Sequence, residues 1–179
     1  MNAKNQVVFM ALGPDRVGWV AQVTGYIRER GGNVEDSHMA ALGSEFGVMI
    51  LVSASEADVA RLEADTDTLT ALGMHVVVRK TAQRQDGSQP ARVSVTAEAI
   101  DHEGIVYAVS AALERLGVNI VSLQTECYPA PLSGAPLFRL RAVADLPRAM
   151  DVDSVRKGMA GVAESEKLEI DVRPLNAAV

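Results

Sequence analysis

A single cysteine, Cys127, stands in the whole chain. No internal disulfide can form, which removes the disulfide-scaffold class and fits a reducing cytosol, so a cytoplasmic protein is expected. Aromatic residues are scarce: three Phe, three Tyr and one Trp. That leaves little for base stacking, and a single-stranded nucleic-acid binder is disfavoured. Basic residues are outnumbered, 17 Lys and Arg against 23 Asp and Glu, for a net charge of −6. No basic stripe of the kind phosphate binding needs is present, nor a helix-turn-helix pattern with clustered Arg or Lys, so no direct nucleic-acid contact is expected. Long apolar runs are missing as well. The longest are strand-sized, so no membrane span is expected. The N-terminus lacks the basic stretch followed by an apolar run that marks a signal peptide. The three histidines, His38, His75 and His102, have no metal-ligand spacing with one another or with Cys127, and there is no glycine-rich phosphate loop. No metal and no cofactor are expected.

What the chain does have is an internal repeat. Asp15-Arg16-Val17-Gly18-Trp19-Val20 is followed by Gly31-Gly32-Asn33-Val34, and Asp101-His102-Glu103-Gly104-Ile105-Val106 by Gly117-Val118-Asn119-Ile120. The aspartates are 86 positions apart (101 − 15), as are the paired glycines and the asparagines. A constant offset marks two copies of one supersecondary unit. Each copy holds roughly 80 to 90 residues, small but able to fold alone.

Local patterns fill in each copy. Gln6 to Leu12 reads as a strand ending at Gly13-Pro14. Gly18 to Arg30 carries Val20, Val23 and Ile27 at helical spacing and stops at Gly31-Gly32. Asn33 to Leu42 is extended, Gly43-Ser44-Glu45 is a hairpin turn, and Phe46 to Val52 is a strand. Ser55 caps a helix expected to run to about Leu72, and His75 to Lys80 is the last strand. The same order recurs as Ala91 to Ala97, Gly104 to Leu116, Asn119 to Tyr128, Leu137 to Val143, Val152 to Glu164 and Leu168 to Val172. The fold class is α+β: two βαββαβ, ferredoxin-like domains, each a four-stranded antiparallel sheet with two helices on one face. The boundaries are 5–81 and 91–175, with a polar linker over 82–90. The Phe46 to Val52 strand is apolar at both parities, and helices cover only one face. A homo-oligomer, or contact over the open sheet face, is therefore expected.

Each copy places a short polar loop between its first strand and first helix. Free N–H groups and the positive dipole end of a helix N-terminus favour a carboxylate. Gly18 and Gly104 let a ligand approach the backbone. Asp15 and Asp101 can accept from an amine, while Asn33 and Asn119 offer both a donor and an acceptor. An amine and a carboxylate with little else outline a small amino acid. A plainer reading stays open, in which the aspartates cap their helices, the glycines serve packing, Asn33 serves a turn and Arg16 is a solvated charge. His102 beside Asp101 has the look of a polarised base, but no nucleophile is near, and no catalytic residue is assigned. Cys127 is expected to be a buried small hydrophobe and Trp19 a packing residue.

The repeat resembles the ACT domain, a βαββαβ amino-acid-sensing module whose matching loop is commonly Asp-x-Pro-Gly followed by two aliphatics. Here the proline position holds Val17 and Glu103. The stretches Asp15-Arg16-Val17-Gly18, Gly32-Asn33-Val34-Glu35-Asp36-Ser37 and Leu42-Gly43-Ser44-Glu45-Phe46 resemble, more narrowly, the glycine cleavage system transcriptional repressor family of tandem ACT domains. The resemblance implies a non-enzymatic regulator that binds glycine or serine and represses glycine cleavage genes through a DNA-binding protein partner. The ligand-binding positions would be Asp15, Arg16, Val17, Gly18 and Asn33, the asparagine from its own or a facing module, with Asp101, His102, Gly104 and Asn119 in the second copy. The other reading is a regulatory subunit giving amino-acid feedback to a metabolic enzyme.

Overall fold

In a computed structural model that describes residues 5–82 and 90–175, the chain divides into two compact units, one ending at Gln85 and one starting at Asp86. Most of the expected linker lies outside the described residues. The first unit runs β1 (Asn5–Pro14), α1 (Trp19–Glu29), β2 (Asn33–Leu42), β3 (Glu45–Ala54), α2 (Glu56–Ala64), α3 (Asp67–Thr70) and β4 (His75–Thr81). The second runs β5 (Arg92–Ile100), α4 (Ile105–Arg115), β6 (Asn119–Pro129), β7 (Pro136–Asp145), α5 (Val152–Ser165) and β8 (Glu169–Leu175). The sheets are ordered β2-β3-β1-β4 and β6-β7-β5-β8, antiparallel at every pairing. The ferredoxin-like class is the one expected.

One face of each sheet makes the core. Val7, Phe9 and Ala11 of β1 join Val48, Ile50 and Val52 of β3, closed over by Val23 and Ile27 of α1 and Val59 and Leu62 of α2. Val93, Val95 and Ala97 do the same with Leu140, Ala142 and Ala144, under Val109, Leu113, Val155 and Met159. Alternation along each strand thus selects which residues lose water, and each fully buried aliphatic contributes about 1.5–3 kcal/mol. Ser55 caps α2 by accepting from the Asp58 N–H, and Asp151 caps α5 by accepting from Ser154.

The single helix expected from Ser55 to Leu72 is in fact two. The backbone leaves the helix at Asp65 (φ −117°, ψ 41°) and restarts for one turn at Asp67. Asp65 pairs with Arg30 of α1, and Arg30 lies over the Tyr26 ring at 3.7 Å. Leu69 still reaches the core because the second turn is reset to face it. The edge strands β2 and β6 each carry a bulge near their start, between Val34 and Asp36 and between Ile120 and Ser122.

Candidate functional site

The loop between β1 and α1 is fixed at both ends. The Asp15 N–H donates to the Ser44 carbonyl at 2.8 Å, tying the loop to the β2–β3 turn. Trp19 is buried, and its Nε1–H donates to the Pro14 carbonyl at 2.7 Å. Between them Gly18 occupies the N-cap with φ 93° and ψ −3°. A left-handed N-cap has a backbone reason to be glycine, apart from any ligand. The side-chain capping reading fails here: no side chain caps α1, and its first turn holds no acid. The helix therefore presents uncapped N–H groups and a positive dipole end. Arg16 adds to that charge instead of offsetting it, because its Nη2 donates to Gln22 Oε1 at 3.0 Å and so lies across the first turns. A guanidinium beside an uncapped helix start favours negative charge. Gln22 was not among the residues singled out from the sequence. It sits one turn past the motif, and no local signal marks it.

The second loop repeats the geometry and differs in its cation. The Asp101 N–H donates to the Pro136 carbonyl at 2.9 Å, and Gly104 is the N-cap at φ 96° and ψ −9°, again with no side-chain cap. His102 stands where Arg16 stands. Its Nδ1 lies 3.0 Å from the Glu103 carbonyl and its Nε2 3.1 Å from the Glu166 carbonyl at the end of α5. Carbonyls only accept, so both ring nitrogens must carry protons for both bonds to form. The two backbone carbonyls accordingly hold the His102 pKa above its ordinary value, with the Glu103 carbonyl the larger influence. The first loop offers a cation held only by a neutral amide, whereas the second has tied its cation to the protein. Arg16 and His102 share the 86-residue offset, which is the signal that relates them.

Asn33 and Asn119 do not meet these loops within their own units. Asn33 pairs with Ser53, at the end of the sheet where β1 begins, whereas the Asp15 loop follows Pro14, which pairs with Glu45 and through it with Leu42. The two points are nine residues apart along β2, about 30 Å at strand rise. Asn33 instead donates to Glu35 Oε1, which also accepts from Ser53 Oγ. Asn119 pairs with Asp145, likewise far from Pro136. Cys127, expected to be buried, is exposed, because it lies on the edge strand β6. Partial desolvation, and then the Asp101 carboxylate, push its thiol pKa up. Val17 is fully exposed at the loop tip.

Residues 5–79 match the ACT domain family. The match covers the first unit, and the second unit, which the match does not reach, repeats its topology strand for strand. It is 25% identical over 177 residues to the glycine cleavage system transcriptional repressor of Escherichia coli, across 98% of this chain and 93% of that one. A crystal structure provisionally described as a glycine cleavage system transcriptional repressor superposes with a TM-score of 0.72 at 18% identity, covering 98% of this chain and 100% of the other. An unknown protein from Galdieria sulphuraria superposes at 0.78 with 31% identity, covering 97% and 100%.

Proposed function

We propose that this chain is a non-enzymatic, cytoplasmic regulator that binds a small amino acid, glycine or serine, at the Asp15–Gly18 loop. It acts on transcription of glycine cleavage genes as an accessory repressor, through a DNA-binding protein partner. The observation that carries the ligand reading is the Arg16 guanidinium lying across an uncapped helix start. It gives the ligand carboxylate a charged donor and backbone N–H groups together, and leaves the Asp15 carboxylate free to accept from the amine. The second loop is the weaker site because His102 is already committed to two carbonyls. The partner reading rests on the full-length likeness to the Escherichia coli repressor and on a net charge of −6, which opposes direct phosphate contact.

Asn33 joins the site from a second copy. β2 is an edge strand exposed along nearly its whole length. Antiparallel pairing of two β2 strands sets the Asn33 end of one against the Leu42 end of the other, and so beside the other's Asp15 loop. The test is capture of the tagged full chain from lysate of its own cells, followed by gel shift on glycine cleavage promoter DNA. The chain should bring down a DNA-binding protein and shift the DNA only in its company. Capture of a metabolic enzyme instead, or a shift by the chain alone, would overturn the reading.

A further inference from the structure

The two units share one sheet topology and differ in the chemistry of their open faces. In the first, the face away from the helices carries Val8, Met10 and Leu12 of β1, Met49 and Leu51 of β3, and Val77 of β4. Leu12 is 50% exposed, Met49 48% and Val77 51%. In the second unit the register equivalents of Met10, Leu12, Met49 and Val77 are Thr96, Glu98, Arg141 and Asp171. There Arg139 bonds Glu98 and Glu126, and the face carries a charge network. The fold therefore does not require an apolar open face. The second unit stands without one, so the apolar side chains of the first have another use.

We propose that this face seats a second copy of the chain, packed sheet to sheet about a two-fold axis that runs along the strands. Charge selects the occupant and the axis. In one row across the sheet Asp36 of β2 pairs with Leu51, Leu51 with Val8 and Val8 with Arg79 of β4. The acid sits at one edge of the apolar strip and the base at the other, both exposed and neither in an ion pair among the described residues. A two-fold along the strands lays β2 over β4 of the copy. Asp36 then meets Arg79 of the copy on both sides, and Met49 meets Met10. An axis across the strands would set Arg79 against His75 and Asp36 against Ala40. Four strands and about eight residues of length give a face whose burial in two copies is on the order of 1,000 Å². That area is at the lower edge for a specific dimer. The contact is separate from the β2 edge and does not rest on the ligand reading.

Sedimentation velocity of the full chain across the micromolar range tests it. The wild type should self-associate, and M10T/M49R/V77D, which copies the second unit's own residues, should weaken that step about a hundredfold or more by burying unpaired charge. Circular dichroism checks that the fold is kept. Arg79→Asp alone should weaken association, and Arg79→Asp with Asp36→Arg should restore it. A wild type that stays monomeric, or a triple variant that assembles as far as the wild type does, overturns the proposal, whereas a triple variant that stops at the β2-paired dimer supports it. A charge swap that fails to restore association overturns the two-fold arrangement.

Discussion

Two glycines in one helix should respond to the same substitution with opposite signs. Gly18 caps α1 at φ 93° and ψ −3°, where any residue with a Cβ is strained by about 1–3 kcal/mol. Gly25 lies in the middle of α1, and a Cβ added there would meet nothing within 4 Å. Alanine at that position contributes up to about 1 kcal/mol through helix propensity and the lost freedom of the unfolded chain. For a unit of this size each kcal/mol moves the midpoint by about 4–8 °C. Gly18→Ala should therefore lower the melting temperature of the first unit by about 4–24 °C, and Gly25→Ala should raise it by up to about 8 °C. Trp19 makes the assay specific, because it is the only tryptophan and is buried in the first unit. Its fluorescence followed on heating reports that unit alone. A Gly18→Ala protein that melts like wild type would refute the assignment of Gly18 as a backbone requirement, and a Gly25→Ala protein that melts earlier would refute the open helical setting of Gly25.

Trp19→Phe keeps the ring contact with Phe46, at 5.9 Å between centroids, but removes the bond to the Pro14 carbonyl; chemical denaturation should show a loss of about 1–3 kcal/mol. His102 should titrate above the ordinary histidine value in an NMR pH series, since two carbonyls hold its proton. A raised folded pKa means the tether to Glu166 is fully present below about pH 6.5 and is lost as pH rises through the folded value. A His102 that titrates at or below the ordinary value would contradict it. Cys127 should be alkylated more slowly than an ordinary exposed thiol at neutral pH, and Asp101→Asn should speed it, because that carboxylate helps hold the thiol protonated.

The fold was legible wherever a local pattern had a single physical cause. The offset between Asp15 and Asp101 located both loops, and Gly31-Gly32 and Gly117 ended their helices where expected. Alternation in Phe46 to Val52 revealed an open apolar face but did not tell that the second unit would fill its own with Glu98, Arg139 and Arg141. The break at Asp65 was hidden because Leu62 and Leu69 keep helical spacing across it, and the partner that Asp65 meets there, Arg30, lies 35 positions away. Cys127 was misread since an edge strand has no parity that marks exposure. Asn33 was grouped with Gly18 by chain order, while the strand register sends the two to opposite ends of the sheet. Register is set by pairing between distant strands and leaves no local trace. The link between His102 and Glu166 spans 64 positions and is equally invisible in sequence.

Isothermal titration of the full chain with each of the twenty amino acids, in parallel with Arg16→Ala, tests the central claim most directly. Glycine or serine should bind the wild type below millimolar concentration, with the stronger step assigned to the first loop. Arg16→Ala should lose that step by about tenfold or more while melting like wild type, since a charge-assisted contact of about 1.5–3 kcal/mol is removed from an exposed side chain. No binding of any amino acid below millimolar concentration, or unchanged affinity in Arg16→Ala, would leave the loop a purely structural turn and contradict the account.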